Sequence, residues 1–72
     1  MKVEAAHVYA VIPVLEPIAL ADVAYRYVER FAGTGGSEEL EHDLSARLAA
    51  HLRKLRRAGR VEGPPWRRRP VQ

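Results

Sequence analysis

The sequence predicts a small, mainly α-helical domain in which three helices are closed by a two-stranded β-hairpin. Leu20 to Phe31 carries its apolar residues on one helical stripe. Leu40 to Leu55 carries a leucine ladder that stops at Ala58-Gly59, and two short segments flank Gly63-Pro64-Pro65. At 72 residues, 47% hydrophobic and 29% charged, the chain has the length of a single domain. Its core is expected over about residues 5–69, with 70–72 as a tail. A chain this short buries only about 60% of the surface its unfolded form exposes, so it packs with few errors or shares its core with a partner.

The first element lies between Ala5 and Ile12, a nearly continuous apolar stretch that Pro13 stops, because proline cannot continue a helix without a kink. Val8, Val11, Ile12 and Leu15 form a helical stripe, while Val8, Val11, Ile12 and Val14 also suit a buried strand. A helix is preferred, and the strand stays open as the alternative. Glu16-Pro17 then turns the chain, and Ile18-Ala19-Leu20 runs briefly extended.

The second element is an amphipathic helix. Leu20, Val23, Ala24, Tyr27, Val28 and Phe31 fall at i, i+3, i+4, i+7, i+8 and i+11, with Asp22, Arg26, Glu29 and Arg30 on the opposite side. Asp22 suits the positive first turn, and Gly33 is the expected stop. A longer helix starts near Ser37, whose hydroxyl is a cap candidate, with Glu38 and Glu39 complementing its dipole. Its ladder is Leu40, Leu44, Leu48, Leu52 and Leu55, and Arg56 and Arg57 occupy the last turn before Gly59. One helix, or a short turn followed by a helix from about Asp43, both fit. After Gly59, Arg60-Val61-Glu62 and Trp66-Arg67-Arg68-Arg69 read as the strands of a short, edge-like hairpin around the proline turn.

Charge is divided along the chain. Residues 1–45 hold three basic and eight acidic side chains, whereas residues 46–72 hold nine basic side chains and only Glu62, so a formal net charge of +3 conceals two ends of opposite sign. The basic end predicts an anionic partner, with nucleic acid first, and a solvated basic face is the plainer explanation.

The same composition excludes several classes. Without cysteine there is neither a disulfide scaffold nor a thiolate zinc site, and no apolar run approaches the roughly 18 residues that span a bilayer. Met1-Lys2-Val3-Glu4 does not resemble a secretory signal, so a cytoplasmic protein without a membrane association is expected. Catalysis is not expected either. His7, His42 and His51 form no metal-ligand pair, and Ser37, Ser45 and Thr34 lack a nucleophile-elbow setting. Gly33-Thr34-Gly35-Gly36 has no phosphate-loop lysine. An acidic helix start accounts for Glu38, Glu39, Glu41, His42 and Asp43 better than a metal site does, and no cofactor is implied.

His51 to Glu62, His-Leu-Arg-Lys-Leu-Arg-Arg-Ala-Gly-Arg-Val-Glu, resembles the "HLxKLxxAGxVE" stretch of many bacterial winged helix-turn-helix proteins. Pro17 to Ala24 is similar to the approach to their second helix, and Trp66-Arg67-Arg68 to the return strand of the wing, so the resemblance covers most of residues 8–69. It implies a winged helix-turn-helix fold, three helices plus a two-stranded wing, and a DNA-binding transcriptional regulator or DNA-associated factor. The third helix would then lie in the major groove while the wing reaches the backbone or minor groove. A second resemblance is to the small winged-helix module at the C-terminus of some metallo-β-lactamase-fold hydrolases, through Ala50 to Leu55, Gly59-Arg60-Val61 and Trp66. It implies a non-catalytic interaction or dimerisation module, and Met1 with no metal-binding catalytic motif argues against a complete enzyme.

Base contacts in helix-turn-helix proteins come mainly from the N-terminal part of the recognition helix, here Ser37 to Asp43, whose four acids oppose phosphate. Either Ser45, Arg47, Ala50, His51 and Lys54 face DNA, or the wing dominates. The candidate nucleic-acid contacts are therefore Arg47, Arg53, Lys54, Arg57, Arg60, Arg67, Arg68 and Arg69, with double-stranded DNA the expected, weakly specific partner. Glu38, Glu39, Glu41 and Asp43 form the alternative surface, for a protein partner. Trp66 is read as core packing ahead of base stacking, and His51 as a packing or capping residue. A homodimer is expected from the small size and from the broad apolar first segment, where Val3, Val8 and Val11 or Tyr9 offer more apolar surface than one small core hides.

Overall fold

The computed structural model describes residues 3–32 and 38–70, and the side chains of all of these except 32 and 38–42. The Gly33 stop, the Ser37 cap and the Gly33-Thr34-Gly35-Gly36 segment lie outside the described residues. Helix α1 spans Ala5–Val11, α2 spans Leu20–Tyr27 and α3 spans Glu38–Arg57; strands β1 (Val61–Glu62) and β2 (Arg67–Arg68) follow. Three helices and an antiparallel hairpin are thus present in the expected order, a layout compatible with a winged helix.

The first segment is a helix, which closes the strand alternative. Its end has a local cause. Ile12 precedes Pro13, whose ring disfavours helical geometry in the residue before it, and Ile12 is extended at φ −81° and ψ 127°. Val8 and Val11 are buried, while Val3 and Tyr9 pack against the core from its margin. Val8 and Val11 thus belong to the chain's own core, while Val3 and Tyr9 keep part of their surface exposed. Among the described residues, the large apolar side chains left exposed are Val14, Leu15 and Tyr25.

The second helix departs from expectation in its last turns. It is α-helical only to Tyr27, and Val28–Ala32 form a π-helical turn. Val23 and Tyr27 are fully buried, and Phe31 stacks on the His7 ring at 4.3 Å between centroids. The third element is one helix of 20 residues, about 30 Å long. Leu44, Leu48, Leu52 and Leu55 line its buried stripe. Its end is a Schellman motif: Gly59 N–H donates to Arg56 O (3.0 Å), Arg60 N–H donates to Leu55 O (2.9 Å), and Gly59 takes the left-handed φ of 75°.

That sharp exit delivers Val61 and Trp66 to the core, at 1% and 6% exposure. The strands pair Val61 with Arg68 and Glu62 with Arg67, and Arg69 N–H continues the ladder to Arg60 O. The other side of β2 is covered by the α1–α2 connection. Ile18 and Trp66 exchange two backbone hydrogen bonds (2.9 and 2.7 Å), and Arg68 N–H donates to Pro13 O. The expected extended run thus appears at Ile18, as an isolated antiparallel bridge to Trp66. Gly63 makes the turn possible, because a Cβ there would lie 2.6 Å from Pro65 O and 2.7 Å from Trp66 Cε3.

Candidate nucleic-acid interface

Helix α3 sets the directions of four candidate cations. At roughly 100° per residue, Arg53 and Arg57 project opposite the leucine stripe, and Arg47 and Lys54 sit on one flank. All four are exposed. Arg47 Nη2 donates to Asp43 Oδ2 across one turn at 3.3 Å, so this arginine is engaged by a carboxylate of its own helix. Arg53, Lys54 and Arg57 form no ion pair among the described residues. Their position in the last two turns suits the negative end of the helix dipole as well as an external anion.

The hairpin treats its four arginines unequally. Arg67 Nε donates to Glu62 Oε1 at 2.6 Å, and its Nη2 reaches the same oxygen, which closes a cross-strand ion pair. Arg68 stands opposite Val61 and follows it inward. Its Nε donates to Tyr9 O (3.2 Å) and its Nη2 to Ala10 O (3.1 Å), the last carbonyls of α1, and its guanidinium lies 4.6 Å from the Tyr9 ring centre. Arg60 is exposed and its guanidinium is equally close to that ring. Arg69 is exposed beside Gly59, across the ladder from Arg60.

The eight candidates therefore divide. Arg53, Lys54 and Arg57 at the end of α3, with Arg60 and Arg69 at the root of the hairpin, make up a set of exposed cations, the candidate cationic face. Arg67 and Arg68 hold the fold, and Arg47 is tied to the acidic half of its helix. Of that half, Asp43 is exposed, and the side chains of Glu38, Glu39 and Glu41 lie outside the described residues.

Two tethers were not anticipated. Arg56 Nη1 donates to Gly63 O at 3.0 Å while its guanidinium lies 5.7 Å from the Trp66 ring, which ties the helix end to the turn. Arg30 Nη1 shares Ala10 O with Arg68 at 3.4 Å. Their only sequence signal is a basic residue near a helix end. Trp66, at 6% exposure, is a core residue, and His51 is half-buried on the flank of α3.

No helix among the described residues is long and apolar enough to cross a membrane. Compared with protein-family models, with curated proteins and with solved structures, the chain matches none significantly.

Proposed function

We propose that this chain is a winged-helix protein that binds double-stranded DNA through its phosphates, as a small transcriptional regulator or DNA-associated factor of the bacterial type. The observation that carries this reading is the cluster of Arg53, Lys54, Arg57, Arg60 and Arg69, five exposed cations around one helix end with no carboxylate paired to any of them among the described residues. Positive charge held without internal partners is what a polyanion neutralises, and phosphate contacts position a protein without any need for base readout. Arg47, Arg67 and Arg68 contribute to the field but carry internal contacts of their own.

The test is affinity for a random-sequence duplex across a salt series. Each phosphate contact contributes about −0.9 to the slope of log affinity against log salt, so five contacts predict a slope of about −4.5. No binding at low salt sinks the proposal.

A second reading, a protein-interaction module, is supported by a different surface. Ala21, Ala24, Tyr25, Val28 and Leu44, with Glu29 and Ser45 at the margin, line an open, mainly apolar groove between α2 and α3. Pull-down of a partner that Tyr25→Ala abolishes and Arg57→Ala leaves intact would favour it.

A further inference from the structure

We infer that the cationic face is a sequence-blind site for the duplex backbone, selective for double-stranded over single-stranded nucleic acid. This deepens the DNA-binding reading above and rests on it. Three features carry it.

The first is what α3 offers to base edges. A groove-entering helix reads bases with its N-terminal residues, through Arg or Lys on guanine and Asn or Gln on adenine. The first turns of α3 run Glu38-Glu39-Leu40-Glu41-His42-Asp43, and their one nearby arginine, Arg47, donates to Asp43. The whole chain has no asparagine, and its one glutamine is Gln72. Apart from Arg47, which is held by Asp43, the first half of the helix has no Arg, Lys, Asn or Gln to read a purine, and its carboxylates oppose the phosphates on either side of the groove.

The second is where the unpaired cations lie. Arg53, Lys54 and Arg57 occupy the other end of α3, and Arg60 and Arg69 continue from it onto the hairpin root. A duplex backbone crossing this end meets five cations while the acidic start, about 20 Å away along a 20-residue helix, stays outside the groove. Contacts to phosphate alone carry no sequence information.

The third is the placement of the aromatic rings. Single-strand binding without sequence preference needs exposed aromatic platforms among the cations. Tyr27 and Trp66 are buried, Phe31 is stacked on His7, and Tyr9 lies under the guanidinium groups of Arg60 and Arg68. Tyr25 is exposed, but it flanks Leu44 and Ser45 in the groove by the acidic half. Among the described residues, no exposed Phe, Tyr or Trp ring stands among these cations.

Fluorescence polarisation with labelled 20-nucleotide probes tests this: an all-A·T duplex, an all-G·C duplex, a mixed duplex and its single strand. The expected result is duplex affinities within about threefold of one another, a single strand weaker by about tenfold or more, and a salt slope reduced by about two in Arg53→Ala/Arg57→Ala. Arg26→Ala, on the exposed side of α2, leaves the slope unchanged and controls for net charge. A duplex preferred by more than about tenfold, or a single strand bound as tightly as the duplex, overturns the inference and leaves DNA binding standing. Absence of binding to every probe overturns both.

Discussion

On the outer face of α3, Arg53 and Arg57 stand in solvent one turn apart, with nothing of opposite charge paired to them among the described residues. In the hairpin, Arg67 and Arg68 carry the same charge and both are half-buried, one against Glu62 and the other against the carbonyls of α1. The difference follows from local geometry. Arg68 is the cross-strand partner of Val61, so the pleat that sends Val61 into the core sends Arg68 along the core's edge, to the carbonyls of Tyr9 and Ala10 at a helix end. Arg53 and Arg57 lie on the turn side opposite four buried leucines, which leaves them exposed and without an ion pair among the described residues. A run of arginines is therefore two populations, one that holds the hairpin to the helices and one that remains available to an anion.

The two populations of arginine exist only if the hairpin is an integral part of the core. Trp66→Ala removes a buried indole, its seat against the Gly63 turn and the stacking partner of Arg56. We expect a loss of about 3–5 kcal/mol in urea unfolding followed by circular dichroism, a large fraction of what so small a domain has. A loss under about 1 kcal/mol would mean that three helices fold without the hairpin and that Arg68 holds nothing of consequence.

The next effect is a crossed pair. Arg68→Ala deletes two charge-assisted hydrogen bonds to half-buried carbonyls and is expected to cost about 1–3 kcal/mol of stability. Arg57→Ala is expected to stay within about 0.5 kcal/mol of the parent, while lowering the salt slope of DNA binding by about 0.9. Urea unfolding and binding at several salt concentrations, run on both variants, read all four outcomes. If Arg57→Ala destabilises and Arg68→Ala does not, the division between the two populations is wrong.

The parts of the fold legible in the sequence are those whose cause is local. The stripes of α2 and α3 show because burial follows helical period, Gly59 shows because only a left-handed residue completes that helix end, and the turn shows through Gly63-Pro64-Pro65. The first segment is ambiguous in sequence because Val8, Val11 and Ile12 satisfy both periods, and the structure sets its end at Ile12, which is extended before Pro13. The α-to-π change at Val28 left no mark, since Leu20 to Phe31 keeps an unbroken 3.6-residue pattern. For the site, charge located the basic end but not its division. Arg68 reaches Tyr9 and Ala10 across 59 and 58 residues of sequence, a contact that exists only after α1 and β2 are brought side by side. The reach of Arg53 and Arg57, by contrast, followed from counting positions against the leucine ladder.

The smallest expected effect sharpens the comparison most finely, because it concerns an arginine that can be moved from one population to the other. Arg67 and Glu62 are roughly two-fifths exposed, so solvent and salt screen their pair, and Glu62→Ala is expected to cost less than about 1 kcal/mol. The same change removes the single acid of residues 46–72 and releases Arg67 beside Arg69, with which it lines a shallow depression next to Gly59. Duplex affinity at low salt should then rise and the salt slope steepen by about 0.9, as for one phosphate contact added. Glu62→Gln separates the two contributions, because it keeps the volume and a hydrogen-bond acceptor for Arg67 while removing the charge. An unchanged slope in both variants would place Arg67 out of reach of the backbone whatever its partner, and confine the cationic face to α3, Arg60 and Arg69.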